Sequence, residues 1–265
     1  MDNKLAKSNQ SLEKALQIIE FMADYRRPVR LQDIAEALGF PASTIIRYLA
    51  TLVACKYVKQ NTETLRYSLT FKLGKLGHMV SAEYNIRDVV KPYLAELVDK
   101  IGESACLAIE ENFRAVYIDV ASGPDNALRV MQRIGKEAPL HCTGVGKLML
   151  LNYDRKSLEH LIAEDGLQML THHTISSYPQ LVEELNKVAA QKYAIDDEEC
   201  EIGARCVAAP IRDFSSKIIA GISVSGPVSR MSLQKIDQII SQVTETAARI
   251  SAELGYEAAE VPVLA

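Results

Sequence analysis

No apolar run in these 265 residues approaches the roughly 20 that a membrane-spanning helix needs; Ile218–Ile222 is among the longest. The start, Met1-Asp2-Asn3-Lys4, is polar and is not followed by the apolar stretch of a secretory leader. Tryptophan is absent, and the five cysteines at 55, 106, 142, 200 and 206 include no CxxC pair. An odd number of scattered thiols suits a reducing cytoplasm and speaks against a disulfide framework. His141, Cys142 and Cys206 match no standard zinc spacing, so neither metal nor cofactor is expected. There is no GxSxG, no P-loop, no internal repeat and no low-complexity tract. What is present is ordinary for a globular chain of one or two domains: 48% hydrophobic and 24% charged residues.

The charge is uneven. Residues 1–80 hold twelve Lys and Arg against seven Asp and Glu, a net of +5, and the remainder carries −9. A basic segment fused to an acidic body points to a polyanion partner for the first part alone.

That first part reads as three helices and a hairpin. With Ser11 as its cap, an apolar stripe of Leu12, Ala15, Leu16, Ile19 and Met22 runs to Arg26-Arg27-Pro28, where the residue before proline leaves the helical region. Leu31–Leu38 forms a second short helix stopped by Gly39, and Pro41 opens a third with Ile45, Leu49 and Leu52 buried. Ile34, the small Ala35, Leu38, Gly39, Phe40, Ile45 and Tyr48 fall where a helix-turn-helix needs them. A plain helical hairpin shares part of this pattern, but here the turn glycine and the packing positions agree independently. The face left over carries Ala42, Ser43, Thr44, Arg47 and Thr51, short hydroxyls and a guanidinium suited to phosphates and base edges. Arg30 and Tyr48 join them as candidate DNA contacts. Residues 57–60 and 65–69 alternate about a polar turn and read as a wing, placing Lys59 and Arg66 near backbone phosphates.

Leu69, Leu73 and Leu76, with Phe71 and Met79, mark a helical connector to about Ser81, and Val90–Ile101 a further helix. Beyond it, strands are expected at 104–110, 115–121, 128–132, 206–211 and 218–225, with helices at 146–151, 157–163, 178–191 and 233–254. Strands and helices mix without strict alternation, which favours an α+β domain with a largely antiparallel sheet.

This layout resembles the IclR family of bacterial transcription regulators over about residues 8–256. The resemblance is carried by SLEKALQII at 11–19, GFPASTIIRYL at 39–49, YSLTFKLGKLG at 67–77, IGKEAPLHCTGVGK at 134–147, YAIDDEE at 193–199, GARCVAAP at 203–210 and AGISVSGP at 220–227. It implies a winged helix-turn-helix over residues 1–70, a linker helix over 71–88 and a GAF-like antiparallel-sheet effector domain over 89–257. It also implies double-stranded operator DNA, a small carboxylate effector and a second copy of the chain as partners, in a dimer or tetramer. Gly144 and Gly146 are expected just before a helix starting near Lys147, where free backbone N–H groups suit an anion. Asp196, Cys206, Ser223 and Ser225 offer a carboxylate, a thiol and two hydroxyls, and Ser223 and Ser225 share a strand face. In relatives that take small oxo-acids, the resemblance sets Gly144 and Val145 against the ligand by backbone and these four by side chain. Leu128, Val130, Met131 and Leu140 would supply apolar walls. Residues 126–135 look like the sugar-acid-responsive branch of the family, with Arg129 or Arg133 pairing the carboxylate. The expectation is a repressor without catalytic residues. Two other readings stay open: a hydrolase built on His141, Cys142 and Cys206, in which adjacent residues on an extended segment face opposite ways, and a DNA-binding protein without a ligand.

Overall fold

The computed structural model describes residues 9–83, 85–126 and 129–257; Leu128, expected as a cavity wall, lies outside them. The chain forms two compact units that divide between Tyr84 and Asn85.

In the first unit, α1 (Gln10–Tyr25), α2 (Leu31–Leu38) and α3 (Ala42–Ala54) precede a two-stranded ribbon of β1 (Val58–Gln60) and β2 (Tyr67–Leu69), and α4 (Phe71–Glu83) closes it. The cap of α1 is Asn9 rather than Ser11, its Oδ1 accepting the N–H groups of Ser11 and Leu12 at 3.0 and 3.3 Å. The buried edge of α1 also differs from the expected stripe. Ile18 and Met22 enter the core, while Leu12 and Leu16 are 61% and 50% exposed. Gly39, at φ +67°, makes the left-handed turn between α2 and α3 that a side chain would strain. The two helices bend by 117° across it, within the range of a helix-turn-helix. Ile34, Ile45, Leu49, Val58 and Tyr67 pack with Ile18 and Met22 into one core. Val29 joins the ribbon by exchanging hydrogen bonds with Tyr67 at 2.9 and 2.8 Å. Among the described residues no single helix is long and apolar enough to cross a membrane.

The second unit begins with α5 (Ile86–Ile101) and a hairpin of β3 (Ser104–Glu111) and β4 (Arg114–Ala121), then β5 (Glu137–Pro139). Three helices follow, α6 (Gly144–Leu150), α7 (Arg155–Asp165) and α8 (Tyr178–Gln191). The chain returns through β6 (Ala194–Asp197), β7 (Ala204–Arg212) and β8 (Ile218–Pro227) to α9 (Ile236–Glu253). The six strands form one antiparallel sheet in the order β5-β4-β3-β8-β7-β6. Alternation sorts its side chains. Leu107, Val207, Ala209, Ile222 and Val224 face α5 and α9, while Cys106, Ala108, Tyr117 and Ala208 face α6, α7 and α8. The expected strand at 128–132 is absent: residues 129–133 carry no regular structure, and the sheet edge is taken by β5.

Candidate nucleic-acid interface and a buried cavity

On α3 the residues left out of the core form one surface. Ala42, Ser43, Arg47 and Thr51 are exposed, and Thr44 and Tyr48 half-buried. The Arg47 guanidinium lies 5.4 Å from the centre of the Tyr48 ring, a cation–π contact that holds the fork near the helix surface. Thr51 Oγ1 donates back to the Arg47 carbonyl at 3.2 Å. Ser11 and the nearby Arg47 hold the Tyr48 hydroxyl pKa below the ordinary tyrosine value. Lys59 is exposed on β1, and Arg30 is exposed with Asp33 Oδ2 3.9 Å away. Arg66 is half-buried, its Nη1 donating to the Pro28 carbonyl at 3.1 Å. That bond staples the ribbon to the α1–α2 loop and turns part of the guanidinium inward.

The second unit holds a small cavity of about 30 Å³, room for roughly one water. It lies where a register row of the sheet meets the first turn of α6. Asp196 on β6 is opposite Cys206 on β7, and Cys206 is opposite Ser225 on β8. These three line the cavity with Gly144, Tyr117, Val130, Gln132, Lys136, Thr143, Cys200 and Arg205. Gly144 is glycine because the sheet is close: a Cβ there would lie 3.0 Å from the Ala208 Cβ and 3.4 Å from the Cys206 sulfur. Helix α6 starts at Gly144, two residues before the expected helix at 146–151, and its cap Thr143 accepts the Gly146 N–H at 3.2 Å, so that amide is already used.

Burial sets the electrostatics of this cavity. Desolvation, reinforced by the Glu199 carboxylate, raises the Asp196 carboxyl to about 7, against the lowering pull of the Cys200 and Glu199 amides and of Lys147. Burial likewise pushes the Cys206 thiol up to about 12 and the Tyr117 hydroxyl well above its ordinary value. Asp196 Oδ1 accepts the N–H groups of Glu199 at 2.9 Å and Cys200 at 3.3 Å, which turns the chain after β6 across the cavity. That turn is anchored by Lys147, a fully buried lysine on α6 whose Nζ donates to Glu199 Oε1 at 2.6 Å, to Glu184 Oε1 at 3.2 Å and to the Ile195 carbonyl. Burial lowers the Lys147 pKa, but the two carboxylates outweigh it and the net direction is upward. Among the described residues no group of three or more His, Cys, Asp or Glu side chains is gathered to hold a metal ion.

Two family models match the chain: the IclR helix-turn-helix domain over residues 11–62 and the bacterial transcriptional regulator IclR C-terminal domain over residues 78–252. The chain belongs to the IclR family of bacterial transcriptional regulators. It is 32% identical to the regulator XynR of Escherichia coli over 94% of its own length and 98% of that protein. It is 31% identical to KdgR of Dickeya chrysanthemi, covering 96% of this chain and 83% of that one. The solved IclR structure from Thermotoga maritima superposes with a TM-score of 0.61 at 31% identity, over 93% of this chain and 99% of that one.

Within this IclR-family regulator the expected ligand residues separate into two groups. Gly144, Asp196, Cys206 and Ser225 meet at the cavity. Ser223 shares their sheet face but is not on the cavity wall; its hydroxyl is buried without a hydrogen bond of ordinary geometry, with the Cys206 thiol beside it as a weak partner. Val145 and Leu140 are not walls either. Val145 packs on Gly221, and Leu140 sits in the core with its backbone against Gly146. Met131 points out, 56% exposed, because the segment carrying it is not a strand. Neither proposed arginine reaches the cavity: Arg129 pairs with Asp125 at 2.6 Å, and Arg133 is exposed. The cation on the wall is Lys136, while Arg205 there is spent on Asp197 at 2.7 Å and the Met231 carbonyl at 2.6 Å. Tyr117, Gln132, Lys136, Cys200 and Arg205 lie beyond the residues the sequence singles out. Only Tyr117 carries a usable signal, the alternation of β4 that puts it on the same face as Ala115.

Proposed function

We propose that this IclR-family regulator is a sequence-specific repressor whose operator affinity is set by a small carboxylate, a sugar acid or a 2-oxo acid, bound in the cavity. In this reading residues 1–70 read double-stranded operator DNA, 71–88 link, and 89–257 sense the ligand. The observation that carries the reading is the polar row Asp196, Cys206 and Ser225 beside Gly144, a buried set of donors and acceptors gathered on one cavity. Asp196 in its protonated form donates a hydrogen bond to an anion, and Lys136 supplies charge from the opposite wall. At about 30 Å³ the cavity is too small for a sugar acid or 2-oxo acid, so a ligand enters by displacing residues 129–136, and the opening lowers its apparent affinity. Gly144, Val145, Asp196, Cys206, Ser223 and Ser225 are the contacts proposed once it is open. The relatives named for repression, such as the transcriptional repressor IclR of Escherichia coli, support the sign of regulation.

On the DNA side, Ala42, Ser43, Thr44, Arg47 and Thr51 face the major groove, with Arg30, Tyr48, Lys59 and Arg66 at its borders. The protein works in the cytoplasm as a homo-oligomer. Leu12, Leu16, Phe71, Leu76 and Met79 are exposed in the single chain, and a second copy is the natural cover for so much apolar surface. Two heads then read a pseudo-palindrome, and ligand binding shifts their spacing through α4 with a coupling of about 1–3 kcal/mol. The test is a gel shift on the promoter region beside this gene, repeated with a panel of sugar acids and short 2-oxo acids. A salt-sensitive complex released by one acid of the panel is expected. A complex indifferent to every acid removes the ligand assignment, and no sequence-preferring complex removes the whole reading.

A further inference from the structure

The second unit carries another, wider opening at the far end of α6 from Gly144. This groove of about 480 Å³ lies between the tip of the β3–β4 hairpin, the end of α6, the first half of α7 and the start of β8, a size suited to a small molecule. Its floor is apolar, with Met149 and Ile218 both buried. Three rings meet at one side. The Phe113 ring centre is 6.3 Å from that of Tyr153 and 6.5 Å from that of His160, the latter edge to face. Phe113 is held there against its own backbone preference. It follows Asn112 in the two-residue turn of the hairpin, and both are left-handed, at φ +51° for Asn112 and +63° for Phe113. Asparagine tolerates that conformation, but the second place is ordinarily glycine's, and a phenylalanine is strained in it. The strained turn sets a bulky ring, 39% exposed, on the groove wall.

Two opposite charges line the same groove, the exposed carboxylate of Glu110 and the exposed ammonium of Lys217. Among the described residues neither is paired with an opposite charge. Glu110 Oε1 accepts the Phe113 N–H at 3.0 Å, a neutral donor. Asn152 fixes the strand start beside Lys217: its Nδ2 donates to the Ile218 carbonyl at 2.7 Å and its Oδ1 accepts the Ile218 N–H at 3.3 Å. An apolar floor, a ring wall and one charge of each sign are complementary to a zwitterion that carries a ring. We propose that this groove is a second small-molecule site, outside the cavity, that takes a free aromatic α-amino acid, its ring against Phe113, its carboxylate on Lys217 and its ammonium on Glu110. A plain aromatic acid leaves the Glu110 charge unmatched, and an aromatic amine leaves Lys217 unmatched. The site rests neither on the DNA reading nor on the ligand assigned to the cavity. Helix α6 borders both, with Gly144 on the cavity and Met149 on the groove.

The test uses the full chain, whose lack of tryptophan lets the fluorescence of added L-tryptophan be read without protein background. Titration should give a saturable change, with L-tyrosine and L-phenylalanine competing. Phe113→Gly relieves the turn, because glycine takes a positive φ freely; it should fold and lose about tenfold or more in affinity. Lys217→Ala, at an exposed position, should weaken binding about two- to fivefold, and Glu110→Gln, which keeps an acceptor for the Phe113 N–H, should do the same. Indole-3-propionate, without the ammonium, and tryptamine, without the carboxylate, should both bind more weakly than L-tryptophan. The proposal is overturned by the absence of saturable binding for all three amino acids, or by unchanged affinity in Phe113→Gly or Lys217→Ala. Either truncated probe binding as tightly as L-tryptophan overturns it as well.

Discussion

Replacing Asp196 by asparagine should make the regulator more stable at pH 8 and leave it unchanged near pH 4. The carboxyl titrates at about 7 in the folded chain against an ordinary value of 3.8. Below pH 4 it is protonated in both folded and unfolded states and costs nothing. Between the two values the unfolded chain releases this proton while the folded chain keeps it, so fewer protons are bound unfolded than folded and stability falls as pH rises. The gap spans about 3 pH units at about 1.4 kcal/mol each, which sets an upper bound of about 4 kcal/mol on the penalty above pH 7. Asparagine removes the ionisation and keeps an Oδ1 acceptor for the Glu199 and Cys200 N–H groups, which Asp196 now binds at 2.9 and 3.3 Å. The gain at pH 8 should therefore be about 1–4 kcal/mol, with the lower end allowing for relaxation around the ionised wild type. The assay is paired urea unfolding of the two proteins, followed by circular dichroism at each pH from 4 to 9. Titration of groups that do not interact with Asp196 cancels in the difference. A variant less stable than wild type at pH 8, or a difference that does not grow with pH, would refute the desolvated-carboxyl argument.

Three further outcomes are expected. In the proposed regulator, affinity for a carboxylate ligand should be flat below the Asp196 pKa and weaken by up to about tenfold per pH unit above it, because ionised Asp196 repels the ligand; calorimetry from pH 6 to 9 showing no such decline, or the same decline in Asp196→Asn, contradicts this. Gly146→Ala places a Cβ inside 3.0 Å of Leu140 backbone and Thr143 Oγ1, and with backbone on one side it should lose about 1–3 kcal/mol or more; a wild-type urea midpoint would show that the approach is looser than described. Arg47→Ala should weaken specific operator binding by about 1–3 kcal/mol if the fork is bidentate to a base, whereas Lys59→Ala should weaken all sequences and lower the salt slope by about one; the assignments fail if Arg47→Ala leaves operator selectivity intact.

The helix-turn-helix was legible because its rules are local. A left-handed glycine between two short helices and an apolar residue at each packing position belong to one stretch of sequence, and Gly39, Ile34, Ile45 and Leu49 take those places. The buried edge of α1 was misread because two apolar edges run along it and a period cannot say which meets the core: Leu12 and Leu16 fit the stripe as well as Met22 does. In the second unit the long strands 104–111 and 218–227 were visible through their composition. Strands β5 and β6, three and four residues long, are too short to display a period. Residues 129–132 carry the adjacent apolar pair Val130 and Met131 but find no place in the sheet.

The cavity was half legible for a different reason. Ser223 and Ser225 share a face by their spacing alone, and Asp196, Cys206 and Gly144 stand in the motifs that carry the family resemblance. What joins Asp196 to Cys206 and Cys206 to Ser225 is the register of three strands far apart in sequence, which no spacing encodes. That register alone decides that Ser225 reaches the cavity while Ser223, two residues back, lies behind it. Desolvation is equally non-local. The run Asp196-Asp197-Glu198-Glu199 reads as four solvated carboxylates, yet two of them are buried, one held by a lysine from α6 and the other by two amides of its own turn. A charge run that folds back under a helix changes from a soluble turn into a titrating wall, and the chemistry proposed for this regulator rests on that inversion.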